Sequence, residues 1–177
     1  GIFALINQSA LSSHVWQYGN KPINELVLNH ALEAKCTFSF AESCTGGLVA
    51  SKITDLSGSS EVFMGGIVSY SNEMKKNILH VEASLLEKCG AVSIEVATEM
   101  AKGARLACGS DFAVSLSGIA GPTGGSPEKP VGTVVIGYAS ASTSGARIFQ
   151  FPGDRIRRKE RFSDMALLVL YELMSMN

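Results

Sequence analysis

Three hydroxyl or thiol side chains stand directly before a glycine pair in the segment FAESCTGGLVASKI, residues 40–53. A serine or cysteine at the end of a strand acts as a nucleophile when a neighbouring base removes its proton. The start of the following helix would supply backbone N–H groups for an oxyanion or a phosphate. The alternative is a capped helix with glycines for close packing. Both interpretations concern the same five residues, which are Ser43, Cys44, Thr45, Gly46 and Gly47.

The base that such a nucleophile needs is first sought among the histidines, which are His14, His30 and His80. Most cysteine nucleophiles have a histidine partner, and a helix N-terminus would lower the pKa of the Cys44 thiol. None of the three histidines follows a predicted strand into a polar loop. The sequence therefore gives little support to a Cys/His or a Ser/His/Asp arrangement.

Lysine is the remaining type of base, as in the Ser-Lys hydrolases, where burial or a nearby positive charge lowers the lysine pKa towards neutrality. The segment VSYSNEMKK places Lys75 just after the end of a predicted strand. If this strand lies beside the one that ends at Ser43, Lys75 reaches the serine hydroxyl. Tyr70 and Asn72 in the same segment would supply hydrogen bonds. The alternative is a pair of solvated lysines, Lys75 and Lys76, on an amphipathic helix.

Two further segments have compositions that suit a phosphate or a nucleotide. The loop SGIAGPTGGSPEKPVG, residues 117–132, follows a predicted strand, and α/β sheets bind ligands at strand ends. It lacks the spacing of a P-loop or a dinucleotide fingerprint. The segment GDRIRRKER, residues 153–161, concentrates cations that would clamp a phosphate or would form a solvated helix face. These cations are Arg155, Arg157, Arg158, Lys159 and Arg161.

Apolar strands alternate with helical patterns from residue 21 onwards. Five strands are predicted, in CTFSFAES, EVFMGGIVSYS, DFAVSLSGIA, TVVIGYAS and ARIFQF, with a hairpin between the last two across ASTSG. The alternation predicts an α/β fold, a three-layer α/β/α sandwich with a mixed, partly parallel sheet. Residues 1–20 carry no clear periodicity and are interpreted as an N-terminal arm or linker. Residues 21–177 are interpreted as a single domain.

Composition and charge argue against several classes of protein. The 15 Lys and Arg residues nearly balance the 16 Asp and Glu residues, so the net charge of −1 gives no general reason to bind nucleic acid or a membrane surface. No run of about 18 apolar residues exists to span a bilayer, and no signal peptide is recognised. The four cysteines form no CxxC pair and are predicted to be free thiols. We therefore expect a cytosolic protein.

Five segments are long enough to compare with known families. They are AESCTGGLVASKIT, GSSEVFMGGIVSYSNEMK, GAVSIEVATEMAKGAR, SGIAGPTGGSPEKPVGTVVIGYA and FPGDRIRR. In order and spacing they resemble the CinA C-terminal domain family, and the resemblance covers residues 21–175. That family includes stand-alone, PncC-like nicotinamide mononucleotide deamidases, which hydrolyse the carboxamide of this nucleotide to nicotinic acid mononucleotide and ammonia. The resemblance implies this amidohydrolase activity in pyridine nucleotide salvage, without a metal or another cofactor.

The resemblance also implies a role for individual residues, motif by motif. The serine of AESCTGG, Ser43, would be the nucleophile, and the lysine of YSNEMK, Lys75, would be its base. Tyr70 would orient the serine or the substrate. The segment GDRIRRKE departs from the arginine spacing of the family, which leaves Arg158 as an alternative to Arg157. The predicted substrate-binding residues are Thr45, Gly46, Gly47, Asn72, Gly121, Thr123, Gly124, Arg155 and Arg157.

Two alternatives to this amidase stay open at this point. One is a non-catalytic module that binds a nucleotide or a protein partner, since the family name comes from competence, the uptake of DNA. The other is a Ser-Lys hydrolase of a different small amide. Family members fused to a larger N-terminal domain have a second activity, which we expect this chain to lack because its arm is short. Because many family members associate, we expect a homo-oligomer, in the simplest case a dimer.

Overall fold

The computed structural model describes residues 21–176, so the arm predicted at residues 1–20 lies outside the described part of the chain. A five-stranded mixed sheet forms the centre of the fold, with the strand order β2-β1-β3-β4-β5. β1 is parallel to β2 and to β3, whereas β4 and β5 continue the sheet in antiparallel pairs. The strands are β1 (Phe38–Glu42), β2 (Phe63–Val68), β3 (Phe112–Gly118), β4 (Thr133–Ala139) and β5 (Ser144–Gln150).

Six α-helices of the described chain cover the two faces of this sheet. They are α1 (Ile23–Ala34), α2 (Leu48–Thr54), α3 (Asn72–Leu79), α4 (Ala83–Cys89), α5 (Ile94–Cys108) and α6 (Arg155–Ser175), and a short 3₁₀ turn spans Ser59–Glu61. α1, α2 and α6 lie on one face, and α3, α4 and α5 lie on the other. The predicted three-layer α/β/α sandwich with a partly parallel sheet is therefore confirmed.

The two faces of the sheet are packed with side chains of different size. On the first face Phe40 and Leu116 are fully buried against α1 and α6, and each such side chain contributes about 1.5–3 kcal/mol through burial. On the second face the sheet contributes small residues such as Ala41 and Ala113. Helix α5 therefore lies close to the strands on this second face.

Glycines permit the closest contacts of α5. A Cβ atom at Gly137 would collide with the backbone oxygen of Ala97 in α5, and one at Gly103 would collide with the backbone oxygen of Leu79. The second contact sets the C-terminal end of α3 against α5. The N-terminal end of α3 is fixed by its cap, because the Ser71 hydroxyl accepts a hydrogen bond from the Met74 backbone N–H at 3.2 Å. Helix α3 is thus held at both ends.

The carboxyl ends of β1, β2 and β3 meet at one edge of the sheet because these three strands are parallel. Glu42, the last residue of β1, is in register with Val68 of β2 and with Leu116 of β3. The turn after β1, the connection from β2 to α3, and the long loop after β3 therefore leave the sheet side by side. These are three of the four segments in which the sequence predicts functional residues, the fourth being the start of α6.

Candidate active site

Ser43 lies at the carboxyl end of β1 and is anchored to both neighbouring strands. Its backbone N–H donates to the Leu116 carbonyl at 3.0 Å, and the preceding carbonyl, that of Glu42, accepts from the Ser69 N–H at 2.8 Å. These bonds continue the parallel ladders by one residue beyond β1. The serine side chain is therefore carried by a rigid part of the sheet and stays partly accessible.

Lys75 projects from α3 towards this serine, and its amine is surrounded by three oxygen atoms. The Nζ atom is 3.3 Å from Ser43 Oγ, 2.8 Å from the Ser69 carbonyl oxygen and 3.4 Å from the Tyr70 carbonyl oxygen. The residue is only 1% exposed. Burial lowers the pKa of the Lys75 amine below its ordinary value, and the smaller effect of the Cys44 sulfur acts in the opposite direction. The structure therefore brings a serine and a desolvated lysine into hydrogen-bonding distance.

Cys44 follows the serine but has the properties of a packing residue. Its side chain is buried in the core on the α1 and α6 face. Burial raises the pKa of the Cys44 thiol to about 11, the Glu42 carboxylate adds to this shift, and the cations of Lys159 and Arg155 oppose it. A buried thiol with a raised pKa is a poor nucleophile. Of the two candidates, the geometry favours Ser43.

The glycine pair does not supply the free donors that the sequence suggested. Helix α2 begins at Leu48, and Gly47 is its N-cap, with a left-handed φ of 97°. The Gly46 N–H donates to the Ser43 carbonyl at 3.1 Å, and the Gly47 N–H donates to Glu42 Oε2 at 3.0 Å. Because both donors are engaged, the prediction that Gly46 and Gly47 offer N–H groups to an oxyanion or a phosphate needs correction.

Open donors are found one position earlier in the same turn. Within residues 21–176, the Thr45 N–H donates to no backbone or side-chain acceptor, and the Cys44 N–H has only its own thiol sulfur beside it. The hydroxyls of Thr45 and Ser69 are buried and have no hydrogen-bond partner in the described chain. Such unpaired buried groups are uncommon and carry a desolvation cost. The polar groups available around Ser43 therefore come from residues 44, 45 and 69.

Tyr70 and Asn72 lie at the outer side of this arrangement. The Tyr70 side chain is 62% exposed, and it is the Tyr70 backbone carbonyl, not the phenol, that lies near Lys75. Asn72 is exposed at the first turn of α3. Contact of these two side chains with a substrate stays a prediction, since within residues 21–176 neither side chain hydrogen-bonds Ser43 or Lys75.

The loop after β3 is attached to the start of α6 through two arginines. Arg155 donates from its guanidinium to the Gly121 carbonyl at 2.7 Å, and Arg158 donates to the carbonyls of Ala120 and Phe151, each at 3.2 Å. A Cβ atom at Gly121 would collide with Val131 and approach the Arg158 guanidinium. Gly121 is therefore required by packing.

The remaining residues predicted for nucleotide binding differ in where they lie. Thr123 and Gly124 are exposed in the loop. Arg157 is also exposed, at 77% of its side chain, and turns back to Asp154 at 3.6 Å. Lys159 lies near enough to Cys44 to influence its thiol, as Arg155 does. Arg155 and Arg158 therefore both hold the loop, Arg157 faces solvent, and the charges of Arg155 and Lys159 act on the Cys44 thiol.

Sequence reasoning missed two contributors to this site, Glu42 and Ser69, and it did not separate Lys159 from the neighbouring cations. Glu42 had a recognisable signal, since an acidic residue in an otherwise apolar strand has to find partners when it is buried. Ser69 acts through its backbone carbonyl, which leaves no signal in the residue type. Lys159 was one of five cations in GDRIRRKER. The five cations point to different sides of α6, and the residue types do not show which side each one takes.

The histidines of the described chain are not placed to serve as the base. His30 packs edge-to-face against Tyr171 with ring centroids 5.2 Å apart, and His80 is exposed at the left-handed C-cap of α3. His14 lies outside the described residues. Residues 21–176 also contain no cluster of three or more His, Cys, Asp or Glu side chains that could hold a metal ion. No helix in that range is both long and apolar enough to cross a bilayer.

The fold and the site together define an α/β sandwich protein with a serine–lysine pair at the carboxyl edge of its parallel strands. The CinA C-terminal domain model matches residues 20–174, and the chain belongs to this family. A CinA-like protein from Geotalea daltonii is 51% identical over 148 residues, which are 84% of this chain and 36% of that relative. A CinA-like protein from Chlorobaculum tepidum is 51% identical over 150 residues, 82% of this chain and 36% of the relative.

Solved structures of the same family share this fold. The competence/damage inducible protein from Agrobacterium tumefaciens aligns with a TM-score of 0.83 at 35% identity, over 89% of this chain and 98% of that chain. A CinA superfamily protein from Klebsiella pneumoniae aligns with a TM-score of 0.83 at 29% identity, over 89% of this chain and 100% of that chain. The matched region thus covers 98% and 100% of these two solved chains but only 36% of each of the curated relatives named above.

Proposed function

We propose that the chain is an amidase that hydrolyses the carboxamide of nicotinamide mononucleotide to nicotinic acid mononucleotide and ammonia. The observation that carries the proposal is the Lys75 amine, which is buried and lies 3.3 Å from Ser43 Oγ. The motif resemblance to the nicotinamide mononucleotide deamidases of the family supports the choice of substrate. Membership of the CinA family is compatible with this activity.

The surroundings of Lys75 suit a neutral amine. A neutral lysine has two N–H bonds and one lone pair, and the carbonyls of Ser69 and Tyr70 accept the two N–H groups. The lone pair is then left for the hydroxyl proton of Ser43. Burial favours the same protonation state, because it lowers the pKa of the Lys75 amine. Geometry and desolvation therefore both support Lys75 as the general base, a role that contributes about 10²–10⁴-fold to a rate.

In the acylation step, Lys75 takes the Ser43 proton while Ser43 Oγ attacks the carboxamide carbon. The tetrahedral intermediate collapses when the Lys75 ammonium returns this proton to the amide nitrogen, so that ammonia leaves and an acyl-serine ester forms. In the second step Lys75 takes a proton from water, and the resulting hydroxide attacks the ester. Ser43 regains the proton, and the carboxylate product is released. Proton and acyl transfer account for every step.

The backbone N–H groups of Cys44 and Thr45 support stabilisation of the tetrahedral oxyanion, because they are open and lie directly after the nucleophile. One oxyanion donor contributes about 2.7–4 kcal/mol to transition-state stabilisation. The N-terminus of α2 is already filled by Glu42. We therefore assign the nucleotide phosphate to Arg155 and Lys159, in the first turns of α6 beside the loop after β3, instead of to the glycine pair.

An ammonia-release assay on nicotinamide mononucleotide tests the proposal. The full chain should release one ammonia per nicotinic acid mononucleotide, and Ser43→Ala should release none while staying folded by circular dichroism. Ser51→Ala, an exposed serine in α2, is the matched control and should keep full activity. Full activity of Ser43→Ala would disprove the mechanism.

The same assay separates the alternative functions. Nucleotide binding in calorimetry without ammonia release over long incubation would contradict the amidase and support a binding module. A panel of small amides measured beside the nucleotide distinguishes a different substrate. Faster hydrolysis of another amide than of nicotinamide mononucleotide would keep the Ser-Lys chemistry and overturn the substrate.

A further inference from the structure

Glu42 is a buried carboxylate at the centre of the site that has no part in the mechanism described above. It is 1% exposed, although it precedes the nucleophile directly. A buried carboxylate is stable only when it is paired or fully hydrogen-bonded. None of the ion pairs in the described chain includes Glu42. Its compensation must therefore come from hydrogen bonds.

Backbone N–H groups at the start of α2 provide these hydrogen bonds. Glu42 Oε2 accepts from Gly47 at 3.0 Å and from Val49 at 3.1 Å, and Oε1 accepts from Ala50 at 2.9 Å. These donors are among those that a helix start leaves without an intrahelical partner. Hydrogen bonds to a charged acceptor are about twice as strong as neutral ones. A residue of β1 thus serves as the cap of a helix that begins six positions later.

This cap closes the chain around the nucleophile. The Glu42 main chain is fixed to β2 through the Ser69 N–H, and its side chain is fixed to α2. The residues between these two attachments, 43–46, form a tight turn closed by the Gly46 N–H and the Ser43 carbonyl. The direction of Ser43 and of the open N–H groups at positions 44 and 45 is therefore set from both ends.

Glu42 and Lys75 lie on opposite faces of the sheet. Side chains alternate along a strand, and the Glu42 side chain points to α2 while the next residue, Ser43, points to α3. Burial and the Cys44 sulfur shift the pKa of Lys75, and Glu42 does not contribute to this shift. A change at Glu42 is thus expected to move Ser43 without altering the proton affinity of the base.

We propose that Glu42 is a positioning residue, which holds Ser43 against Lys75 by binding the N-terminus of α2 as an internal anion. The proposal rests on the proposed function for its role in amide hydrolysis. It is tested on Ser43 itself, without the nucleotide. Glu42 contacts no substrate in this scheme, so its substitution should lower kcat and leave KM close to the wild-type value.

Sulfonylation of Ser43 by phenylmethanesulfonyl fluoride provides the test. In this reaction the serine Oγ–S bond forms, the S–F bond breaks to give fluoride, and Lys75 takes the hydroxyl proton. The second-order rate and the labelled residue are measured by mass spectrometry on the full chain between pH 6 and pH 10. Glu42→Gln keeps the size of the side chain, and Glu42→Asp keeps the charge but is one methylene shorter. Ser93→Ala is the control, since it removes the N-cap of α5 away from the serine.

We expect Glu42→Gln and Glu42→Asp to label Ser43 at least tenfold more slowly than the wild type, with the same midpoint in the pH profile. Ser93→Ala should lose thermal stability but keep the wild-type labelling rate. Amide hydrogen exchange at positions 47, 49 and 50 should accelerate in the Glu42 variants, which shows that the cap is lost in a folded protein. If Glu42→Gln does not fold, Glu42→Asp alone decides.

A folded Glu42 variant that labels at the wild-type rate overturns the proposal, as does a shifted pH midpoint, which would mean that Glu42 acts on Lys75 by charge. Failure of the wild type to label at Ser43 also overturns it, because no reactive pair would then exist to be positioned. Labelling of the wild type without hydrolysis of nicotinamide mononucleotide refutes only the proposed function. The two failures are therefore distinct.

Discussion

The two ends of the proposed site are built in contrasting ways. At the reacting end, Lys75 is 1% exposed and its amine is held by backbone carbonyls, and Ser43 is anchored to two strands. At the binding end, Arg155 is exposed on the first turn of α6, and Thr123 is exposed in the loop after β3. The groups that are proposed to react are thus fixed through the backbone, whereas those that are proposed to bind the substrate lie at the surface.

The contrast teaches which substitutions should affect catalysis and which should affect affinity. A preorganised group acts mainly in the transition state, so its loss lowers kcat. A surface cation that binds a non-reacting phosphate stabilises ground state and transition state alike, so its loss raises KM.

The largest effect is expected for Lys75→Met, which keeps the length of the side chain and removes the base. The value of kcat for ammonia release should fall about 10²–10⁴-fold, the usual contribution of a general base. Lys76→Met is the matched control, because Lys76 pairs with Glu73 on the surface of α3. If the kcat of Lys75→Met for ammonia release stays within about a factor of three of the wild-type value, Lys75 is not the general base.

The pH dependence of kcat/KM should reveal the same residue. Because burial lowers the pKa of Lys75, the neutral base becomes available at a lower pH than for an exposed lysine. The rate should rise about tenfold per pH unit below that pKa and level off above it. The folded state binds fewer protons than the unfolded state between the two pKa values, so the free energy of unfolding should also rise with pH in that window. Denaturant titrations of the wild type and Lys75→Met should show this rise only in the wild type.

At the binding end, Arg155→Ala and Lys159→Ala should each raise KM for the nucleotide about 10–100-fold, since a hydrogen bond to a charged group contributes about 1.5–3 kcal/mol. The value of kcat should change little. Arg161→Ala, on the exposed side of the same helix, is the control. Equal KM values for Arg155→Ala and Arg161→Ala would move the phosphate away from this end of α6.

Gly103→Ala connects the reacting end to the core. The added methyl group would meet the Leu79 backbone at the end of α3, and such overpacking costs about 1–3 kcal/mol. The gain of about 1 kcal/mol in helix propensity from replacing glycine offsets part of this cost. Urea denaturation should show a net destabilisation, and Lys102→Ala on the exposed face of α5 should not. A stabilised Gly103→Ala would show that α3 adjusts freely.

The smallest effect is expected at Cys44. Because burial raises the pKa of this thiol to about 11, it should react with iodoacetamide much more slowly than the partly exposed Cys89. Cys44→Ala should retain most of kcat, with the loss limited to packing. Peptide mass spectrometry after timed alkylation measures the first expectation. Preferential labelling of Cys44 would reopen the cysteine mechanism.

Much of the fold was predictable because local patterns and tertiary structure agree. The alternation of apolar strands with helical patterns located all five strands. The pairing of Ser43 with Lys75 was predictable for the same reason, since both follow adjacent parallel strands. The cytosolic location and the homo-oligomer stay predictions, which fractionation and light scattering would measure.

Other parts of the site depend on contacts that residue types do not encode. Gly46 and Gly47 looked like free donors because the sequence does not show that the Gly46 N–H closes a turn onto the Ser43 carbonyl or that the Glu42 side chain folds back onto the Gly47 N–H. Arg158 was exchangeable with its neighbours until the loop carbonyl of Ala120 defined its partner. In both cases a side chain hydrogen-bonds to the backbone of another segment. The partner of such a side chain is defined only in the folded chain.

The parallel register between β1 and β2 has a consequence for the origin of the catalytic pair. The two carbonyls that hold the Lys75 amine belong to residues 69 and 70, six and five positions before it, whereas Ser43 is 32 positions away. The base is therefore oriented by its own short segment, and a single long-range alignment brings the serine to it. A shift of one residue between the strands would turn Ser43 to the other face of the sheet. The proposed activity would therefore report on whether two strands have paired in the correct register.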